Sequence, residues 1–189
     1  MCLLVESAGV RLGSVPVTTR PTALITGASS GIGAELARLF AGDSHDLVLV
    51  ARRARPLEDL SAELRERHDV NVRVFARDLS EPASVPDLWN ELLAARVQVD
   101  ALVNNAGVGL YGPVWEQDAD ALDRMVRLNV AALTTFTRLA LPGMVSRHSG
   151  KILNLASVVG YQPAGPRMAV TVTPLPSSSS ARPFEKERT

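Results

Sequence analysis

The stretch that most constrains this chain is Thr26-Gly27-Ala28-Ser29-Ser30-Gly31-Ile32-Gly33. It comes directly after the apolar run Ala23-Leu24-Ile25 and opens a helical pattern over 34–40. A strand, a glycine-rich turn and a helix N-terminus together make an anion site. The N–H groups of a first helical turn have no internal partner, and the helix dipole adds partial positive charge beside them. Glycine allows a tight turn and lets a pyrophosphate approach the backbone closely. The spacing Gly-x-x-x-Gly-x-Gly is not the commoner Gly-x-Gly-x-x-Gly, and such an octapeptide also suits an ordinary loop. The pattern of residues C-terminal to the turn decides between the two.

From Thr22 strands alternate with helices. Strands are expected at 23–26, 46–51, 70–76, 99–104 and 151–156. Residues 46–51 form a continuous apolar run, as a parallel strand covered on both faces requires. Helices are expected at 33–40, from Arg55 onward with Pro56 in the first turn and a stripe of Leu57, Leu60 and Leu64, at 81–95, and over 120–145. The alternation predicts an α/β fold, a Rossmann-like doubly wound parallel sheet with right-handed crossovers. Five strands are expected.

At 189 residues the chain suits one domain. Lys+Arg and Asp+Glu both number 20, so nothing draws it to nucleic acid or to an anionic membrane. The single cysteine, Cys2, fits a reducing, cytoplasmic setting. No continuous apolar run approaches the roughly 18 residues of a spanning helix, and no signal peptide or metal-ligand set is evident. Residues 1–20 are expected to be a disordered extension, with Val17 as an alternative start. Residues 21–170 form the nucleotide-binding domain. Residues 171–189, with Pro174, Pro176 and a serine run, lack apolar periodicity and are expected to be disordered.

Several residues carry chemistry. Arg52 and Arg53 come after the second strand, where a dinucleotide fold places its ribose-reading group. An acidic residue there would accept from the 2′-hydroxyl of NAD; an arginine fork instead suits the 2′-phosphate of NADP, and Arg52 is the favoured contact. Asp78 and Leu79 come after the third strand, where Asp78 also suits a helix N-cap. Asn104-Asn105-Ala106-Gly107 closes the fourth strand with small residues and amides able to tie strands together. Asn129 interrupts a helical pattern and needs amide partners unless it faces solvent. Ser157, after the fifth strand, is a turn residue or a donor to a carbonyl that gains charge.

Residues 26–33, 104–107, Asn129 and Ser157, taken together over about 20–170, resemble the short-chain dehydrogenase/reductase family of the classical type. The resemblance implies hydride transfer between NADP(H), in preference to NAD(H), and an alcohol or carbonyl substrate. It implies cofactor contacts from Gly27, Ser29, Ser30, Gly31, Ile32, Gly33, Arg52, Arg53, Asp78 (to the adenine amino group), Leu79, Asn105, Ala106 and Gly107. It gives Ser157 and Asn129 catalytic roles, Asn129 by holding a proton-relay water. Full-length members of the family are expected to form homo-oligomers.

One departure stands out. The family's Tyr-x-x-x-Lys should begin roughly 12–14 residues after the serine, yet 169–171 is Ala-Val-Thr, Tyr161 has Gly165 four residues on, and the only lysine beyond Lys151 is Lys186. Removing a general acid/base typically costs 10²–10⁴ in rate. In a permitted codon choice, 181–186 shifted by one nucleotide gives Gly-Glu-Ala-Leu-Arg-Glu, a common start to the family's next helix. The same shift turns Thr171 into tyrosine but leaves no lysine at Leu175. A frameshifted or misread gene end, with C-terminal truncation that leaves an incomplete sheet of about five of the family's usual seven strands, is the expectation. The competing reading is a non-catalytic nucleotide-binding protein or a gene fragment.

Overall fold

The computed structural model describes residues 20–157. The expectations for 1–19, the Tyr-x-x-x-Lys window and the tail therefore lie outside the described residues. Five parallel strands, β1 (Thr22–Thr26), β2 (Asp46–Ala51), β3 (Val72–Ala76), β4 (Ala101–Asn104) and β5 (Lys151–Asn154), form one sheet in the order β3-β2-β1-β4-β5. The order reverses at β1: β2 and β3 lie to one side, β4 and β5 to the other. Such a switch point opens a crevice at the carboxyl ends of β1 and β4.

Strand residues alternate between two helical layers, as a pleat requires. Ala23, Ile25, Leu47 and Leu49 face one core with α1 (Gly31–Gly42) and α2 (Ala54–His68). Leu24, Val48, Val50 and Leu102 face the other with α3 (Ser84–Ala94) and α5 (Leu133–Ser146). Leu57, Leu60 and Leu64 form the buried stripe of α2, and Phe136, Ala140 and Met144 that of α5. Burying each of the larger side chains contributes roughly 1.5–3 kcal/mol.

Local bonds set the ends of several elements. Asp46 accepts from the Asn71 N–H (2.9 Å) and from its side-chain amide (3.1 Å), so β3 starts at Val72 and not at Val70. The Asp100 carboxylate takes the Thr22 N–H at 2.9 Å, just ahead of β4. Asp69 closes α2 with φ 49°, and Arg20 donates to its carbonyl and carboxylate across the start of the sheet.

The helix expected over 120–145 is three pieces: α4 (Ala119–Val126), a π-helical turn (Arg127–Ala132) and α5. Asp118 caps α4 by accepting from the Ala121 N–H at 2.8 Å. Within the combined run Ala119–Ser146 an 18-residue window has a mean hydropathy of 1.2, so by length and composition alone it could cross a bilayer. This qualifies the expectation drawn from continuous runs alone. Its inward face is spent on the sheet through Phe136, Ala140 and Met144. Among the described residues β5 pairs only with β4, and Leu153 stays 43% exposed on this sheet edge.

Candidate cofactor site

Thr26 ends β1, and its hydroxyl is the hub of the crevice. Oγ1 donates to the Val103 carbonyl (3.2 Å) and accepts from the N–H groups of Asn105 (2.9 Å) and Ala106 (3.0 Å). The Asn105 amide donates to the carbonyls of Thr26 (2.8 Å) and Gly27 (3.2 Å). One threonine and one asparagine thus stitch the glycine turn to the end of β4. The Asn105 Nδ2 group is committed to this brace, while the residue also lines the cleft.

The three glycines serve different needs. Gly27 and Gly31 have φ of +69° and +57°, the left-handed region that glycine enters without penalty. A Cβ on Gly31 would meet nothing within 4 Å, so its turn faces open space. A Cβ on Gly33 would lie 2.4 Å from the Gly27 carbonyl oxygen and 2.5 Å from Asn105 Nδ2. Gly33 is required by the packing of helix against turn. Gly33→Ala should therefore destabilise the fold by roughly 1–3 kcal/mol through overpacking against backbone. Gly31→Ala should cost about 1–2 kcal/mol from its φ alone. Urea midpoints of the two variants measure the losses, and a Gly33→Ala loss well under about 1 kcal/mol would show that close packing on the Gly27 carbonyl and Asn105 is not the constraint.

A cleft of about 600 Å³ opens over this turn. All the cofactor contacts expected from the sequence line it except Gly31 and Gly33. Ser30 sits at the N-cap of α1 yet makes no side-chain bond to it, so the first-turn N–H groups keep their capacity for an anion. Arg53 Nη2 instead reaches the hydroxyls of Ser29 (3.4 Å) and Ser30 (3.3 Å). These are long bonds, easily exchanged for stronger ones. Arg52 stands 4.0 Å from Asp78, with two-thirds of its side chain exposed. The geometry brings Arg53 to the glycine turn more directly than Arg52, the residue favoured from the sequence.

Asp78 Oδ1 accepts from the N–H (2.9 Å) and hydroxyl (2.7 Å) of Ser80. It makes no bond to an α3 N–H; the N-cap position of α3 is Ala83. Partial burial opposes its ionisation, but the two Ser80 bonds and the charges of Arg52 and Arg124 outweigh it and lower its pKa. Because the folded-state value lies below that of an unfolded chain, Asp78 stabilises the fold above the ordinary aspartate range, near pH 4. That contribution is lost as pH falls through the lowered value. Ser80→Ala should move the Asp78 titration, tracked by carboxyl NMR, back toward the ordinary range. An unmoved titration would show that the charges alone hold it.

Asn129 lies in the π turn, 8% exposed. Its Nδ2 donates to the Val108 carbonyl (2.8 Å) and its Oδ1 accepts from the Val108 N–H (3.0 Å). The amide thereby clamps the loop after β4 to the helix. Ser157, half-buried, lies beyond β5 on the same carboxyl edge of the sheet. Asn104 Nδ2 donates to Asn154 Oδ1 (2.8 Å) and Thr137 Oγ1 (3.2 Å), tying β4 to β5 and α5.

A larger polar groove of about 990 Å³ crosses the opposite end of the sheet, by Thr22, Asp46 and Val72. It has no glycine turn and no helix N-terminus comparable to that of α1. Its Arg20 is paired with Asp69 and its Asp46 with Asn71. The chemistry favours the carboxyl edge.

A model of the short chain dehydrogenase family matches residues 21–170. The chain belongs to the short-chain dehydrogenase family. Among solved members, it is similar to a short-chain dehydrogenase from Sphingobium yanoikuyae in complex with NADPH. The TM-score is 0.71 at 42% identity, covering 76% of this chain and 56% of that one. It is also similar to a bulky-bulky ketone specific alcohol dehydrogenase from Comamonas testosteroni, with TM-score 0.71, 39% identity, and 76% and 57% covered. An NADP-dependent 3-hydroxy acid dehydrogenase of Schizosaccharomyces pombe is 36% identical over 143 residues, 75% of this chain and 55% of that protein. The chain spans about half the length of the curated relatives it matches.

None of the sequence motifs singles out Thr26 as a hub, or Arg77, Val108 and Leu128 as lining residues of the cleft. Arg77 has a usable signal: it comes directly after β3 as Arg52 does after β2. It is paired with Glu91 on α3. Thr26, Val108 and Leu128 have none, because their partners are distant in sequence.

Proposed function

We propose that this chain binds NADP(H) at the carboxyl edge of its sheet and forms the nucleotide-binding part of an oxidoreductase acting on a small alcohol or carbonyl compound. The observation that carries the reading is Arg53 at the glycine turn, on Ser29 and Ser30, with Arg52 beside it. The NADPH complex and the NADP-dependent name among its relatives support the same cofactor. The residues suit that group. Gly31 leaves room for a pyrophosphate, the α1 N-terminus offers N–H donors, and two guanidinium forks suit a 2′-phosphate. Asp78, kept ionised with the help of Ser80, is proposed to accept from an adenine amino group. When bound, the nicotinamide would supply or take up a hydride.

Ser157 is proposed to donate to the substrate carbonyl oxygen as charge develops there. Asn129, through its clamp on Val108, holds the loop over the cleft, and a proton-relay water beside it is part of the proposal. The proton donor itself has no residue in the Tyr-x-x-x-Lys pattern, so this chain is proposed to turn over slowly. A bound ligand raises folding stability by mass action, about 2.7 kcal/mol at a hundredfold excess over Kd. Thermal unfolding should rise with NADPH and rise less with an equal concentration of NADH. No shift with either nucleotide would reject the reading.

A further inference from the structure

A second, internal space lies behind the cleft. It is lined by Thr26, Asn104, Leu79 and Phe136 and by Leu128 and Ala132 of the π turn, and it leaves about 10 Å³ for the centre of a water molecule. A cavity needs roughly 10–15 Å³ by that measure to hold one water. Nothing larger fits, and no charged side chain lines it.

Asn104 is 96% buried, at 4% exposure, and its Oδ1 is one of three buried side-chain polar atoms without a hydrogen-bond partner among the described residues. Its Nδ2 is turned toward Asn154 and Thr137, neither of which lines the cavity. Asn104 lines the cavity, and Oδ1 is the arm of its amide left without a partner. An acceptor left unsatisfied here keeps the full desolvation penalty of its group. Thr26 Oγ1 is no partner for it, since that hydroxyl already makes three bonds. The remaining wall is a π turn, where the widened backbone departs from the ordinary helical ladder and where inserted water is a known cause of bending.

We infer that this cavity binds one buried water, which donates to Asn104 Oδ1 and to a main-chain carbonyl of the π turn. The water joins the end of β4 to the turn that carries Asn129, and so stabilises the clamp on Val108. The assignment is independent of which nucleotide the cleft takes.

Two measurements test it. A high-resolution crystal structure of the 189-residue chain should show an ordered water about 2.7–3.2 Å from Asn104 Oδ1. A dry cavity, or an Asn104 amide turned so that Nδ2 faces it, would overturn the inference. In solution, oxygen-17 relaxation dispersion should show about one long-lived water fewer in Asn104→Leu than in the unmodified chain. If that variant fails to fold, Ala132→Val, which fills the cavity and spares the amide, should show the same loss. An unchanged count in a folded variant would overturn the inference.

Discussion

Arg53→Ala should weaken NADPH binding by roughly ten- to a hundredfold and leave NADH binding almost unchanged. A hydrogen bond to a charged partner contributes about 1.5–3 kcal/mol, and each 1.4 kcal/mol is tenfold in affinity. Arg53 already reaches Ser29 and Ser30 at 3.4 and 3.3 Å, so a 2′-phosphate held at the turn would replace two long bonds with shorter, charge-assisted ones. Arg52→Asp should act more strongly. It places a carboxylate beside the phosphate and a like charge beside Asp78, now 4.0 Å from the guanidinium. NADP(H) preference should then flatten or reverse, because an acidic residue at this strand end suits a free 2′-hydroxyl. Calorimetric titration of the unmodified chain and both variants with each nucleotide measures this. Tighter NADH than NADPH binding by the unmodified chain would remove the argument from the arginines.

The second large effect concerns turnover. Carbonyl reduction by this chain should run about 10²–10⁴ below that of a family member carrying the Tyr–Lys pair. Ser157 polarises a carbonyl but does not readily release a proton at neutral pH. Water replaces a phenol poorly, because nothing orients it. Thr171→Tyr alone should recover little. Leu175, not lysine, stands four residues on, so no ammonium would favour the ionised phenol, and Pro174 and Pro176 oppose a helix there. NADPH consumption over a panel of ketones and aldehydes, for the unmodified chain, Thr171→Tyr and Ser157→Ala, gives the comparison. Turnover at family rates by the unmodified chain, lost in Ser157→Ala, would show that another group supplies the proton.

The residues behind these two effects differ in kind. Arg52 and Arg53 are legible because they come directly after a continuous apolar run. A strand end at a fixed distance beyond a glycine turn is a local property. Asn129 is legible as an anomaly only: a polar residue in a helical pattern needs partners, but the pattern does not say which. Its partner, Val108, is supplied by the return of the chain over the sheet edge. Asn105 is expected at the cofactor; it lines the cleft, and its Nδ2 also braces Thr26 and Gly27, a role its local sequence does not show.

What the sequence by itself determined is therefore short-range. The alternation of apolar runs and amphipathic stretches sets five strands and their helices, since strand and helix periods are properties of a few consecutive residues. The glycine spacing sets a turn that larger residues would strain or obstruct. The tertiary structure alone decided which glycine answers to φ and which to packing. It also decided that Thr26 binds the start of the β4 loop, that Asn104 reaches Asn154 and Thr137, and that the long helix widens into a π turn at 127–132. The reason is the strand order. β1 and β4 are adjacent in the sheet but more than 70 residues apart in the chain, from Ala23↔Ala101 onward. Bonds across such a seam depend on register, which no local pattern of residues encodes.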